Sequence, residues 1–144
     1  MNDLEKLRQW LQTYPNWGKS SLYVDYTDGA TGNGLYPAGL EELSRREDVL
    51  GNVALRCRYH FSLYRVTAAQ EDKTEDALWL LQFQQWVQQQ SIAGLAPTFG
   101  DVPGAEQLRA QKGKLKEASQ AGMATYVVNL TADFTKIYGG NGNV

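Results

Sequence analysis

Two segments of this chain alternate apolar and polar residues too regularly to be helices. Val53, Leu55, Cys57, Tyr59, Phe61 and Leu63 take the odd positions of the first, and Ala54, Arg56, Arg58, His60, Ser62 and Tyr64 the even ones. Tyr126, Val128, Leu130, Ala132 and Phe134 repeat the pattern near the end of the chain. Side chains on a strand point to opposite faces with period two, so each segment reads as a ribbon with one buried and one wetted side. A fold built on these segments is a sheet that needs a cover on one face.

The cover comes from two stretches of helical period. Leu4, Leu7, Trp10 and Leu11 recur at helical spacing behind Asn2 or Asp3 as cap, and Pro15 stops the pattern. From Ala77 to Gln90, Leu80, Phe83 and Val87 line one stripe, widened by Trp79 and Trp86, with Thr74 as a cap. Between the helices, Leu22, Val24 and Tyr26 predict a short strand, and DGATGNG at 28–34 reads as a surface loop. Residues 39–52 fit either a short helix or the first arm of a hairpin turning at Gly51 and Asn52, and the hairpin is favoured. Residues 92–104, rich in Gly and Pro, form a loop; Gly113 counts against a helix over 105–118, which is expected as a polar strand pairing with 124–138.

The predicted fold class is α+β: a mostly antiparallel sheet of about four or five strands with long hairpins, packed against two helices. Residues 1–138 form a single domain and 139–144 a flexible C-terminal tail. Strand length adds an inference. Fourteen extended residues span about 46 Å, whereas a globule of this size is only about 40 Å wide. Such a ribbon either projects, leaving open edges that invite a neighbouring subunit, or is bent by a bulge.

The 144 residues, 42% hydrophobic and 21% charged, fall in the soluble globular range. No apolar run approaches the roughly 20 residues that span a bilayer, and MNDLEKLRQW is a charged amphipathic start rather than a signal peptide, so a cytoplasmic chain is expected. The lone Cys57 falls on an apolar face, the place of a buried thiol. A net charge of −2 gives no global case for nucleic-acid binding. Arg45, Arg46, Arg56, Arg58, His60 and Arg65 nevertheless bias the middle of the chain, either as a polar strand face laced with ion pairs or as a surface lining a passage for DNA.

Searches for chemistry return little, and no enzyme activity, cofactor or metal is expected. One His and one Cys do not make a zinc site. His60 sits between arginines, whose charge opposes its protonation. Asp25 and Asp28 suit a turn better than a metal or acid–base site. Gly29, Gly32 and Gly34 lack the Gly-Lys-Ser/Thr of a phosphate loop. Trp79, Phe83 and Trp86 read as core rather than as a stacking platform for bases.

VDYTDG at 24–29, LYPAGLEELSRREDVLGN at 35–52, YHFSLYRV at 59–66, APTFGD at 96–101 and ATYVVNLTADFTKIY at 124–138 together give the chain its texture. In these stretches it resembles small prophage-encoded minor capsid or tail terminator-like proteins from phages of Gram-positive bacteria. The resemblance implies a structural virion protein, a tail terminator or head–tail joining protein. Such a protein forms a ring, usually of six, at the end of the tail tube. Its partners would be copies of itself, the major tail tube protein and the head connector protein, with no membrane and with DNA only in passage through the lumen. The implied location is the virion tail, with assembly in the host bacterial cytoplasm. The family carries no residue motif for its interfaces; Arg56, Arg58 and His60 are the candidate interface or lumen positions here. The alternative is a small nucleic-acid-binding domain using the central Arg cluster.

Overall fold

The computed structural model describes residues 2–15, 22–24, 32–68, 74–118 and 122–139. The element order is helix α1 (Asp3–Leu11), strands β1 (Leu22–Val24), β2 (Gly32–Glu47) and β3 (Val53–Ala68), helix α2 (Thr74–Ile92), a single 3-10 turn at Pro103–Ala105, and strands β4 (Gln107–Ala118) and β5 (Met123–Tyr138). The five strands lie in the order β1-β2-β3-β5-β4. Every pairing is antiparallel except that of β1 with β2. This is the α+β fold that the alternation predicts, and residues 39–47 are strand rather than helix.

Each element forms for a local reason. The Asn2 side chain accepts the Glu5 amide N–H at 2.8 Å and so caps α1. Helix α2 carries Glu75 and Asp76 in its first turn, where carboxylates meet the positive end of the helix dipole. Trp79, Leu80, Phe83 and Val87 of α2 are buried, as are Leu7, Trp10 and Leu11 of α1. Both helices lie on one face of the sheet. There they meet Cys57, Phe61 and Leu63 of β3 and Tyr126, Val128, Leu130 and Phe134 of β5, all in one core cluster. Aromatic rings join the helices: Trp10 stacks on Trp86 at 4.7 Å, and Tyr14 meets Phe83 edge-on at 5.2 Å. The Trp10 indole N–H donates to Gln90 at 3.0 Å.

The structure corrects the sequence reading in two places. Gly32, Asn33 and Gly34, expected in a surface loop, begin β2 and pair with β3; Asn33 and Gly34 are held between β1 and β3, and Asn33 is fully buried. Glycine and asparagine signal a turn only where no neighbouring strands claim their backbone. Arg65, counted with the polar-face arginines, shares the core-side parity of Leu63; its guanidinium sits 4.2 Å over the Trp79 ring, 3.5 Å from the Asn33 side-chain oxygen. Asp25 and Asp28 lie outside the described residues, as does the tail beyond Gly139.

The long strands both bend and project. Irregularities interrupt β2 between Pro37 and Gly39 and again between Glu42 and Ser44, and β4 between Gln111 and Lys114. Residues 37–50 are nonetheless exposed throughout, so the distal part of the β2–β3 hairpin stands clear of the core.

Candidate interface

The helix-free face of the sheet holds the residues singled out from the sequence. Arg56, Arg58 and His60 alternate along β3 on this face, and each has a partner. Arg58 grips Asp133, its cross-strand neighbour on β5, with two bonds of 2.6 and 2.9 Å. The paired guanidinium holds the Asp133 carboxyl below its usual range against the opposing effect of burial, and the same bond raises Arg58. His60 Nε2 lies 2.8 Å from Glu41 on β2, so its nearest charge is a carboxylate rather than an arginine. Arg56 donates to the Ala105 carbonyl at 3.0 Å and to Thr135 at 3.3 Å. The central basic residues are thus engaged within the sheet.

The edges of the sheet differ from one another. Along β4, side chains of α2 take outward amides: Leu108 N–H donates to Ser91 Oγ at 3.2 Å, and Gly113 N–H to Gln84 Oε1 at 3.3 Å. Where β5 runs past β4, the loop after α2 closes it. Asp101 N–H donates to the Thr135 carbonyl at 2.7 Å, and the Asp101 carboxylate accepts the Ile137 N–H at 2.7 Å. Glu106 staples that loop by accepting the Phe99 and Gly100 amides at 2.7 and 3.0 Å. On the opposite side β1 reaches only Leu35 of β2, and no described strand pairs with the outer edge of β2 from Tyr36 to Glu47. Pro37, the two bulges and the charges of Glu41, Glu42, Arg45 and Arg46 break that edge up, which disfavours a long uninterrupted ladder with a second strand.

The hairpin ends in a rigid apolar tip. Asp48 accepts the Leu50 and Asn52 amides at 2.9 Å each and the Asn52 side-chain N–H at 3.0 Å, and Gly51 takes the left-handed φ of 83° that the turn requires. These bonds also lower the Asp48 carboxyl, so the tip keeps its negative charge. The turn presents Val49 and Leu50 to solvent at 102% and 71% exposure.

A groove of about 660 Å³ runs between α2 and β4. Leu81, Gln85, Gln88 and Ile92, on successive turns of α2, form one wall; Leu108, Arg109 and Ala110 of β4 form the other. Leu81 and Ile92 are 59% and 82% exposed. The exposed Leu78, Leu81 and Ile92, separated by Gln85 and Gln88, escaped the sequence reading because the continuous stripe of Leu80, Phe83 and Val87 dominates the same helix. The tip also escaped it: Val49 and Leu50 in a turn are a signal, but only the projection of the hairpin shows that nothing covers them.

For chemistry the site offers binding surfaces. No group of three or more His, Cys, Asp or Glu suited to a metal occurs among the described residues. Cys57 is buried, and burial with nearby Glu42 pushes its thiol up, away from the reactive thiolate. No protein-family model matches the chain, and neither does any curated protein sequence.

Proposed function

We propose that the chain is a structural protein of a phage tail, a tail terminator or head–tail joining protein that assembles as a ring at the end of the tail tube. The observation that carries this reading is the asymmetry of the sheet: one side is closed by α2 and the loop at Asp101, while on the other no described strand pairs with the outer edge of β2 beyond Leu35, and the hairpin arm projects. Two unlike surfaces on one chain suit head-to-tail association, which closes into rings. The resemblance of the sequence to tail terminator-like proteins supplies the context, with the major tail tube protein and the head connector protein as partners and the virion tail as location. The alternative of a nucleic-acid binder loses support because Arg58 and Arg45 are ion-paired within the chain and Arg56 is bound to Ala105 and Thr135. Electron microscopy of particles from a phage lacking this gene tests the proposal. Tubes of uncontrolled length, or tails unable to join heads, are expected; tails of normal length on intact particles overturn it.

A further inference from the structure

We infer that two copies of the free chain pair through the outer face of α2, with the two helices antiparallel about a two-fold axis. The contact goes beyond the ring reading and is tested apart from it.

The outer face of α2 carries no charge. Between Asp76 and Asp101 the chain has no Asp, Glu, Lys or Arg, although this stretch includes most of a helix with one side open to solvent. Ordinary protein surface is about a quarter to a third charged, and depletion of charge marks the centre of a surface that a partner covers. Leu78, Leu81 and Ile92 are 51%, 59% and 82% exposed, and Gln85 and Gln88 between them are exposed as well. These five residues are spaced by three, four, three and four, the a and d positions of paired helices, whereas Trp79, Leu80, Phe83 and Val87 point the other way, into the core.

The order of the side chains along this row selects a second copy as the occupant. With the helices antiparallel, Leu81 meets Ile92 of the second copy and Gln85 meets its Gln88, and the two-fold repeats both contacts. Apolar meets apolar and amide meets amide. A glutamine amide both donates and accepts, so it is satisfied by the same residue type in a copy of itself, which a charged side chain is not. Sliding one helix by a heptad sets leucine or isoleucine against glutamine and leaves buried amides unbonded, so a single register is selected. Parallel helices would also match like with like, but they would bring Glu75 and Asp76 of both copies together. The antiparallel pair sets each acidic first turn beside the uncharged end at Ser91 and Ile92 instead.

Size decides how firm the pair is. A helix of 19 residues is about 28 Å long and about 10 Å wide, so two such strips bury about 600 Å², short of the roughly 1,200 Å² of a stable complex. The dimer is therefore reversible and forms at high protein concentration.

Cysteine cross-linking tests the geometry. Leu81→Cys and Ile92→Cys each place a thiol at an exposed position, while the native Cys57 is buried. Mixed and oxidised at millimolar protein, the two variants should give a disulfide-linked pair containing one of each. Two Leu81→Cys chains should not link, because their thiols lie about 17 Å apart along the helix axis, beyond the reach of a disulfide. Sedimentation of the wild-type chain at millimolar concentration should show self-association, weakened at least about tenfold in Gln85→Glu, which buries an unpaired charge in the contact. The thermal midpoint of that variant at micromolar protein should be unchanged, since Gln85 is exposed in the single chain. Linking of Leu81→Cys with itself, a wild-type chain that stays monomeric, or association indifferent to Gln85→Glu overturns the pairing. None of these outcomes bears on the tail reading, which the gene-deletion phenotype decides.

Discussion

Gly100 shows how far one side chain decides the seal on the sheet. A Cβ built there would overlap the Thr135 carbonyl oxygen, the group that accepts the Asp101 N–H. Gly100→Ala must push the loop off β5, and overpacking of this kind costs about 1–3 kcal/mol; a urea titration should show the loss, and an unchanged midpoint would contradict the placement of the loop. Asp133 is the second such residue, with its side chain 8% exposed beside an Arg58 side chain 30% exposed. Its folded pKa is depressed, so the stability it contributes is present above the ordinary carboxyl value of 3.8 and is lost as pH falls through the lower folded value. Asp133→Asn should lower stability at neutral pH by about 2 kcal/mol, the scale of a hydrogen bond to a charged group, and should flatten the acid limb of a stability–pH curve. If that limb keeps its slope, another carboxylate carries the acid sensitivity.

At the scale of elements, each helix is pinned to the sheet by a tyrosine. Tyr59 of β3 donates to Asp3 of α1 at 2.6 Å, and Tyr126 of β5 donates to Asp76 of α2 at 2.9 Å. Burial first, then the bond to a carboxylate, pushes both phenols from 10 up to about 12. The neutral phenol is the form the fold holds, so this stability is complete below pH 10 and is lost as pH rises toward about 12. The double variant Tyr59→Phe, Tyr126→Phe should therefore be less stable at neutral pH yet lose less on going alkaline, as followed by far-ultraviolet circular dichroism across that range. These elements were legible from sequence because each has one dry face: period two marks β3 and β5, and a spacing of three and four marks α1 and α2. Strand β2 was only half legible. Its Gly32–Gly34 start carries no hydrophobic pattern, and its distal arm is wet on both faces, so the backbone bonds to β3 define it rather than its side chains. The parity of Arg65 was readable in principle, but charge suggested the wrong face; stacking on Trp79 lets a cation sit at the core margin, and burial lowers its pKa as expected there.

For the whole molecule, placing both helices on one face leaves a second, polar sheet face that no helix covers among the described residues, and in the ring we propose this face is the candidate lining of the passage. Its net charge differs from what the sequence suggests, because Arg58 is cancelled by Asp133 and His60 faces Glu41. Arg56 is the basic residue of the three with no carboxylate bonded to it among the described residues. A lumen role for this face therefore predicts a graded result. Exchanging the pair, Arg58→Asp with Asp133→Arg, preserves both net charge and salt bridge and should leave phage titre within about threefold of wild type, since two adjacent cross-strand positions simply swap partners. Arg56→Gln and Arg56→Glu both remove the bonds to Ala105 and Thr135 and should lower the thermal midpoint alike. Only Arg56→Glu adds negative charge toward passing DNA, so only it should cost titre beyond the loss seen with Arg56→Gln, by about tenfold for a barrier near 1.4 kcal/mol. Equal titres for the two Arg56 variants would count against a lumen role for this face.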